Sequence, residues 1–244
     1  RVLFRSNPCD TGDEHYCDTG FSLSFNALDK QGEKTNGGYS SHYTINQRYA
    51  VKIPDGLDPA AAAPLLCGGI TVYTPLKRFG AGPGKKVGVL GLGGLGHLAI
   101  KISKAMGAHT VMLTSSASKV SDAEKLGADD VVLTRDPEAL EAHAGSFDFI
   151  INTISGDHDV NSFLPLLARA GNMCFVGAPQ SPAPIFIPNL IMGDKLMSGS
   201  LIGGMPATAE MLQFCADHNI TADIEMVDID KVNEAWERIE ANDV

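Results

Sequence analysis

The 244-residue sequence contains no apolar run long enough to cross a bilayer, and no signal-peptide pattern opens it. Basic residues are in short supply: 19 Lys and Arg stand against 29 Asp and Glu, a net charge of −10. That balance argues against a general nucleic-acid or anionic-membrane surface, although an anionic small molecule can still find a local positive niche. Five cysteines, an odd number, make no neat disulfide framework, so a reducing cytoplasm is the expected compartment. The histidines (His15, His42, His97, His109, His143, His158 and His218) include no pair at metal-ligand spacing on a helix, and each reads as structural or exposed. There is no G-x-S-x-G elbow and no Walker loop. Internal repeats and low-complexity tracts are also missing. What is left is 44% apolar and 20% charged, an ordinary globular composition with residues enough for one large domain or two small ones.

One segment stands out against this background. Lys85 to Leu90 reads as a buried strand, and Gly91-Leu92-Gly93-Gly94-Leu95-Gly96 follows it with the G-x-G-x-x-G spacing. Leu95, Leu98, Ala99, Ile102 and Met106 then repeat at helical period. In such a turn Gly91 permits the tight bend, Gly93 leaves room for a pyrophosphate at the backbone, and Gly96 lets helix and strand pack closely. The helix N-terminus adds free N–H groups and the positive end of its dipole. The motif alone is weak, since glycine turns also serve as plain structure; its strand-turn-helix context is what supports a dinucleotide.

The next strand, Thr110 to Thr114, should end beside the adenine ribose. A site for NAD usually carries Asp or Glu there, about 20 residues past the glycines. This sequence has Thr114-Ser115-Ser116-Ala117-Ser118-Lys119 instead. Serine hydroxyls and one ammonium suit a 2′-phosphate, and no carboxylate repels it, so NADP(H) is the expected cofactor. The same serines can also cap the following helix, and both roles can hold at once.

The rest of the chain alternates. Strands are expected near Val87–Leu90, Val111–Thr114, Val131–Leu133, Phe149–Asn152, Met173–Val176 and Leu196–Leu201. Helices are expected over 94–106, 119–126, about 137–143, about 158–169 and from Pro206 to about His218. This βαβ rhythm predicts an α/β fold with a doubly wound parallel Rossmann sheet. Asp58 and Pro59 form an N-cap and first-turn pair for a helix over the following alanines. Residues 7 to about 58 lack helical period, and strands are expected at Gly37–Ile45 and Tyr49–Pro54. Three cysteines carry possible chemistry. Cys9 and Cys17 are spaced C-x7-C, and by themselves read as two unrelated thiols, because two ligands do not complete a zinc tetrahedron. Cys67, after Ala63-Pro64-Leu65-Leu66, reads by itself as a small core residue, as do Cys174 and Cys215.

Several segments together resemble one family. Gly37-Gly38-Tyr39-Ser40, Ala63 to Thr71, Gly91 to Gly96, Lys125-Leu126-Gly127-Ala128-Asp129, Val176-Gly177-Ala178-Pro179 and Gly199 to Gly204 occur in the order found in zinc-dependent medium-chain alcohol dehydrogenases. The resemblance is strongest to their cinnamyl-alcohol-dehydrogenase-like, NADP-dependent branch. It implies zinc-assisted hydride transfer between a primary alcohol or aldehyde and NADP(H), with a homodimer formed through the cofactor domain, and neither nucleic acid nor membrane as partner. Cys67 then matches a catalytic-zinc ligand, and Cys9 and Cys17 match two ligands of a structural zinc lobe. Ser6 stands where that lobe has another cysteine, and the remaining ligands of both zinc sites would precede residue 1, so both are expected to be incomplete. Gly91, Leu92, Gly93, Gly94, Leu95 and Gly96 would hold the pyrophosphate. Ser115, Ser116 and Lys119 would hold the 2′-phosphate. Thr71, Thr153, Val176, Gly177, Ala178, Ser200 and Ile202 would line the nicotinamide half.

The implied division is 1–58 for part of a mostly β, GroES-like catalytic domain, 59–219 for the NADP-binding domain, and 220–244 for the return to the catalytic part. Residues 1–6 look like one reading frame of a sequencing-library adapter and are set aside as non-native. The chain as a whole reads as a fragment truncated at both ends. Two other readings stay open: an NADPH-binding module without turnover, and a zinc-independent quinone or enoyl reductase, against which Cys67 and the Cys9/Cys17 pair argue.

Overall fold

A computed structural model describes residues 7–29 and 31–241. The expectations for residues 1–6 lie outside them, as does the chain end at 242–244. Six parallel strands form the central sheet: β3 (Lys86–Leu90), β4 (His109–Thr114), β5 (Asp130–Leu133), β6 (Phe147–Asn152), β7 (Leu167–Phe175) and β8 (Leu196–Gly199), in the order β5-β4-β3-β6-β7-β8. In order of appearance this is 3-2-1-4-5-6, the doubly wound arrangement that places ligands where the order reverses, here between β3 and β6.

Strands buried on both faces need continuous apolar runs, and these have them. Val87, Val89, Met112, Phe149, Ile151 and Cys174 point into one core; Val111, Leu113, Ile150 and Met173 point into the other. The first core is covered by α3 (Gly68–Arg78), α4 (Gly94–Ala105) and α8 (Met205–Asp217), through Ile70, Leu76, Leu98, Ile102, Met211 and Leu212. The second is closed by Val160, Leu164, Leu166 and Leu167. Phe147 and Phe149 should share a face by strict alternation but serve opposite cores. The pairing with β7 slips between them, from Phe147↔Leu167 to Phe149↔Asn172, with the extra residues of the bulge in β7.

Shorter helices complete the layers: α2 (Pro59–Ala62), α5 (Val120–Lys125), α6 (Pro137–Ala142) and α7 (Pro188–Ile191). Asp58 caps α2 as its sequence suggests, its carboxylate accepting from the Ala61 amide at 3.1 Å. α1 (Asn7–Thr11) and the amphipathic α9 (Val232–Glu240) lie near the two ends of the described chain. No helix among the described residues is long and apolar enough to cross a membrane.

Three local expectations are corrected. The helix expected over about 158–169 is absent; two 3-10 turns (Val160–Ser162 and Leu164–Leu166) take its place, and β7 begins at Leu167 rather than near Met173. Pro165 bears on this, since it lacks an N–H and so cannot make the i→i−4 bond back to Asn161 that a continuous α-helix needs. The strands expected at Gly37–Ile45 and Tyr49–Pro54 do not form. Tyr39 is 70% exposed there, and no partner ladder reaches those residues. Strand-like sequence becomes a strand only when its N–H and C=O groups find a neighbour. The β content of residues 7–58 is confined to a hairpin of β1 (Phe25–Leu28) and β2 (Lys34–Asn36), within the stretch whose composition is polar and Gly-containing. The sixth central strand also stops two residues early, at Gly199, although the Ser200 amide still bonds to Phe175 O at 3.1 Å.

Candidate cofactor site at the strand-order reversal

The glycine turn sits at the C-terminal ends of β3 and β6. Gly91 leaves β3 at φ +96°, a conformation open mainly to glycine, while its amide still bonds to Leu113 O at 3.1 Å. Gly96 packs against that bend so tightly that a Cβ on it would overlap the Gly91 carbonyl oxygen. Gly93 and Gly94 face the other way: a Cβ on either would meet nothing within 4 Å. The turn is therefore closed toward the sheet and open outward. Gly93 caps α4 without a side chain, so the first amides of α4 are left to point into the open side.

β6 holds the turn from beside it. The Thr153 hydroxyl donates to Leu90 O at 2.9 Å and to Gly91 O at 3.1 Å, and its amide donates to Leu90 O at 3.0 Å. Asn152, wholly buried, accepts from the Val176 and Gly177 amides through its backbone carbonyl at 3.0 and 3.1 Å. Its side chain accepts from the Ile154 amide at 3.1 Å and donates to His158 Nε2 at 2.8 Å, while His158 Nδ1 donates to Gly156 O at 2.9 Å. A Cβ on Gly177 would overlap the Ile154 carbonyl oxygen. Thr153, Val176, Gly177 and Gly91–Gly96 thus form one connected rim. Sequence reading did not single out Asn152 or gave His158 only a structural role; a polar residue at the end of the fourth strand was the available signal.

At the end of β4 the serines open onto a cavity of about 410 Å³ lined by Ser115, Ser116, Ala117, Leu133, Arg135 and Asp136. Thr114 Oγ1 accepts from the Ser116 amide at 3.2 Å, and the Ser116 and Ser118 hydroxyls lie 2.8 Å apart. The one carboxylate here is committed: Asp136 caps α6, accepting from the Glu138 and Ala139 amides at 3.0 and 3.3 Å. Arg135 has no such role and was not anticipated from sequence; it follows the third strand, whose end lies beside the second. Lys119 sits one short turn away, its amide bonded to Ser116 O at 3.2 Å, and does not line the cavity.

The far side is built by β8 and the loop after it. Ser200 Oγ is buried and has no hydrogen-bond partner among the described residues. Tyr16 and Glu14 dock onto this loop, the Tyr16 hydroxyl accepting from the Leu201 amide and Glu14 Oε1 from the Met205 amide, each at 3.0 Å. Thr71 lies in the first turn of α3, where its hydroxyl donates to Cys67 O at 2.7 Å.

The thiols divide. Cys174 and Cys215 are wholly buried, and burial pushes their pKa values up, that of Cys215 to about 12, so they stay protonated core residues. Cys67 is exposed just before α3, not in the core as its sequence context alone suggested. Cys9 and Cys17 are buried around the turn that carries Glu14 and Tyr16. No group of three or more His, Cys, Asp or Glu able to hold a metal forms among the described residues. The donor set present fits a dinucleotide and does not by itself complete a zinc site.

Comparison with known proteins points the same way. Residues 94–217 match the family described as zinc-binding dehydrogenase. The chain is 48% identical over 240 residues to the aldehyde reductase YahK of Escherichia coli, covering 97% of this chain and 68% of that protein. It is 46% identical over 237 residues to NADP-dependent alcohol dehydrogenase C 1 of Mycolicibacterium smegmatis, again over 97% of this chain and 68% of the relative. Among solved structures, it superposes on a cinnamyl alcohol dehydrogenase (SbCAD4) of Sorghum bicolor with a TM-score of 0.96 at 40% identity, over 100% of this chain and 70% of that one.

Proposed function

The chain belongs to the zinc-binding dehydrogenase family, and on that premise we propose that it carries the NADP(H)-binding part of an enzyme interconverting primary alcohols and aldehydes. The observation that carries this is the pairing of an outward-open glycine turn with a serine- and arginine-lined cavity at the adenosine end. The amides of Gly93–Gly96 would take the pyrophosphate, and Ser115, Ser116 and Lys119, now joined by Arg135, the 2′-phosphate. Thr71, Thr153, Val176, Gly177, Ala178, Ser200 and Ile202 would border the nicotinamide; the unpaired Ser200 hydroxyl supports a polar ligand there. NADP(H) supplies the hydride chemistry when bound, and the protein supplies placement and exclusion of water. In this reading 59–219 is the cofactor domain, 1–58 part of a catalytic domain, and 220–244 the return to it. Cys67 is the family's catalytic-zinc ligand, and Cys9 and Cys17 belong to its structural lobe. The described residues bring no three such ligands together, so by themselves they complete neither zinc site.

That same observation favours a second reading for this chain alone: a cofactor-binding module without turnover. One experiment separates the two. Titration calorimetry should show NADP+ binding at least tenfold tighter than NAD+, and a primary alcohol should then be offered with NADP+ while NADPH absorbance is followed. Binding with no NADPH formed selects the module; no NADP+ binding by a folded chain removes both readings.

The edge of the sheet supports the dimer. β8 is an edge strand, and beside it Ile191 and Met192 are 72% and 86% exposed, with Phe186 and Leu196 also open. Unpaired strand edges flanked by apolar surface favour pairing with a second copy. Sedimentation should show a dimer, with Ile191→Asp shifting the chain toward monomer; a monomeric parent chain would remove this part of the reading.

A further inference from the structure

The loop after β8 is not fixed by packing along its whole length. Leu201 and Ile202 are 44% and 37% exposed and bury little. Gly203 and Gly204, by contrast, are seated too tightly for a side chain. A Cβ on Gly203 would come within 2.6 Å of Thr74 Oγ1 on α3, and one on Gly204 would overlap the Gly12 carbonyl oxygen. At the other end the Ser200 amide is tied to Phe175 O at 3.1 Å. Between these ends the loop is held from a distant part of the chain, where the 3-10 turn Glu14–Tyr16 offers two acceptors. The Tyr16 hydroxyl takes the Leu201 amide and Glu14 Oε1 takes the Met205 amide, each at 3.0 Å.

Both contacts answer a local need. Met205 is the first residue of α8, and the N-cap, Gly204, has no side chain to satisfy the helix-start amides. Glu14 does so from 191 residues away and places its carboxylate at the positive end of the helix dipole. Tyr16 leans its ring on His15, centroids 4.1 Å apart, and spends its hydroxyl on the one stretch of the loop that packing leaves loose.

We propose that Tyr16 and Glu14 are positioning residues for the nicotinamide half of the cofactor: by clipping the loop at Leu201 and Met205 they set where Ser200 and Ile202 stand. The proposal rests on the NADP(H) reading above, in which those two residues border the nicotinamide. The buried Ser200 hydroxyl, unpaired among the described residues, lies next in sequence to the Tyr16 contact. Such a hydroxyl is costly until a ligand or water supplies a partner. A loop already held in place binds without first having to be ordered, which is how a hydrogen bond that never touches the ligand reaches affinity. The serines that would take the 2′-phosphate follow β4, four strands across the sheet from β8, so the clip acts on one half of the cofactor only.

The test is calorimetric titration of the full chain and its variants with NADP+ and with adenosine 2′,5′-bisphosphate, which lacks the nicotinamide half, with thermal unfolding in parallel. Tyr16→Phe keeps the ring and removes only the acceptor, so folding should hold. It should bind NADP+ about fivefold more weakly, roughly the net worth of one hydrogen bond, and the bisphosphate within about twofold of the parent. Glu14→Ala should act in the same direction and also lower Tm, since α8 loses its cap. The ratio of the two dissociation constants carries the result, because a general loss of stability weakens both ligands alike. A folded Tyr16→Phe chain whose ratio matches that of the parent overturns the proposal. If neither variant folds, amide hydrogen exchange of the parent decides: NADP+ but not the bisphosphate should slow the Leu201 amide, and equal exchange with either ligand overturns the proposal. A folded parent that binds neither ligand would instead overturn the cofactor reading, and this inference with it.

Discussion

Replacing Gly96 by alanine is expected to abolish useful NADP+ binding and to lower the thermal midpoint of the chain. The added methyl would overlap the Gly91 carbonyl oxygen and come within 3.0 Å of its carbon, and both belong to a backbone that cannot rotate away. Gly91 cannot yield easily. It is held at φ +96° by its own bond to Leu113 and by the Thr153 hydroxyl. The strain should cost about 3 kcal/mol, the upper end of ordinary overpacking, which for a chain of this size lowers Tm by roughly 10 °C. The turn must open to relieve it, and losing one or two amide contacts to a phosphate weakens binding on the order of 100-fold. Gly93→Ala is the instructive contrast. Its Cβ would meet nothing in the protein, and its backbone, at φ −136°, is open to any residue. Stability should fall by no more than about 1 kcal/mol, the usual difference between glycine and alanine at a helix N-cap, while NADP+ affinity should still drop about tenfold because the methyl occupies the phosphate's approach. Calorimetric Kd and Tm, measured on both variants, separate the two glycines. Equal effects on stability would show that the turn is not closed on one side and open on the other.

That asymmetry was legible in outline. The G-x-G-x-x-G spacing assigns the bend to Gly91, the ligand's approach to Gly93 and the close packing to Gly96, and the structure gives each the geometry the spacing implies. The parallel sheet was legible too, because strands buried on both faces must be written as unbroken apolar runs such as Val87–Leu90 and Phe149–Ile151. Sequence reading failed where an outcome depends on a distant partner. Gly37–Ile45 has the composition of a strand and no strand to pair with. Val160 to Leu167 has a helical spacing of apolar residues, but Pro165 breaks it and the same residues fill the second core from 3-10 turns. The site was read by the same logic. Ser115 and Ser116 follow the glycines at the expected distance, whereas Arg135 belongs to the next strand and reaches the cavity only because β5 pairs with β4. His97 and Asp223 are 126 residues apart, so no local pattern marks the hydrogen bond between them.

Ser116→Asp is expected to reverse the cofactor preference. The serine precedes the 3-10 turn Ala117–Lys119 with extended backbone and no side-chain cap bond, a position where aspartate is well tolerated. Folding should therefore be unaffected, and any change in binding reports the site itself. A carboxylate here faces the place assigned to the 2′-phosphate, and like charges brought together in an interface cost several kcal/mol. NADP+ should bind on the order of 100-fold more weakly. NAD+, which presents a 2′-hydroxyl, can donate to the new carboxylate and should bind as well as before or a few-fold better. Arg135→Ala should act in the same direction with less force. Its guanidinium lines the cavity but is exposed, so the loss for NADP+ should be about tenfold, near the low end for a charge-assisted hydrogen bond. NAD+ affinity should not move. The decisive quantity is the ratio of the two dissociation constants, because a general disturbance of the cavity shifts both together. Should Ser116→Asp weaken NADP+ and NAD+ alike, the serines do not face a 2′-phosphate. Should Arg135→Ala leave the ratio unchanged while Lys119→Ala lowers it, the selectivity lies in the β4 loop alone and β5 contributes only a wall.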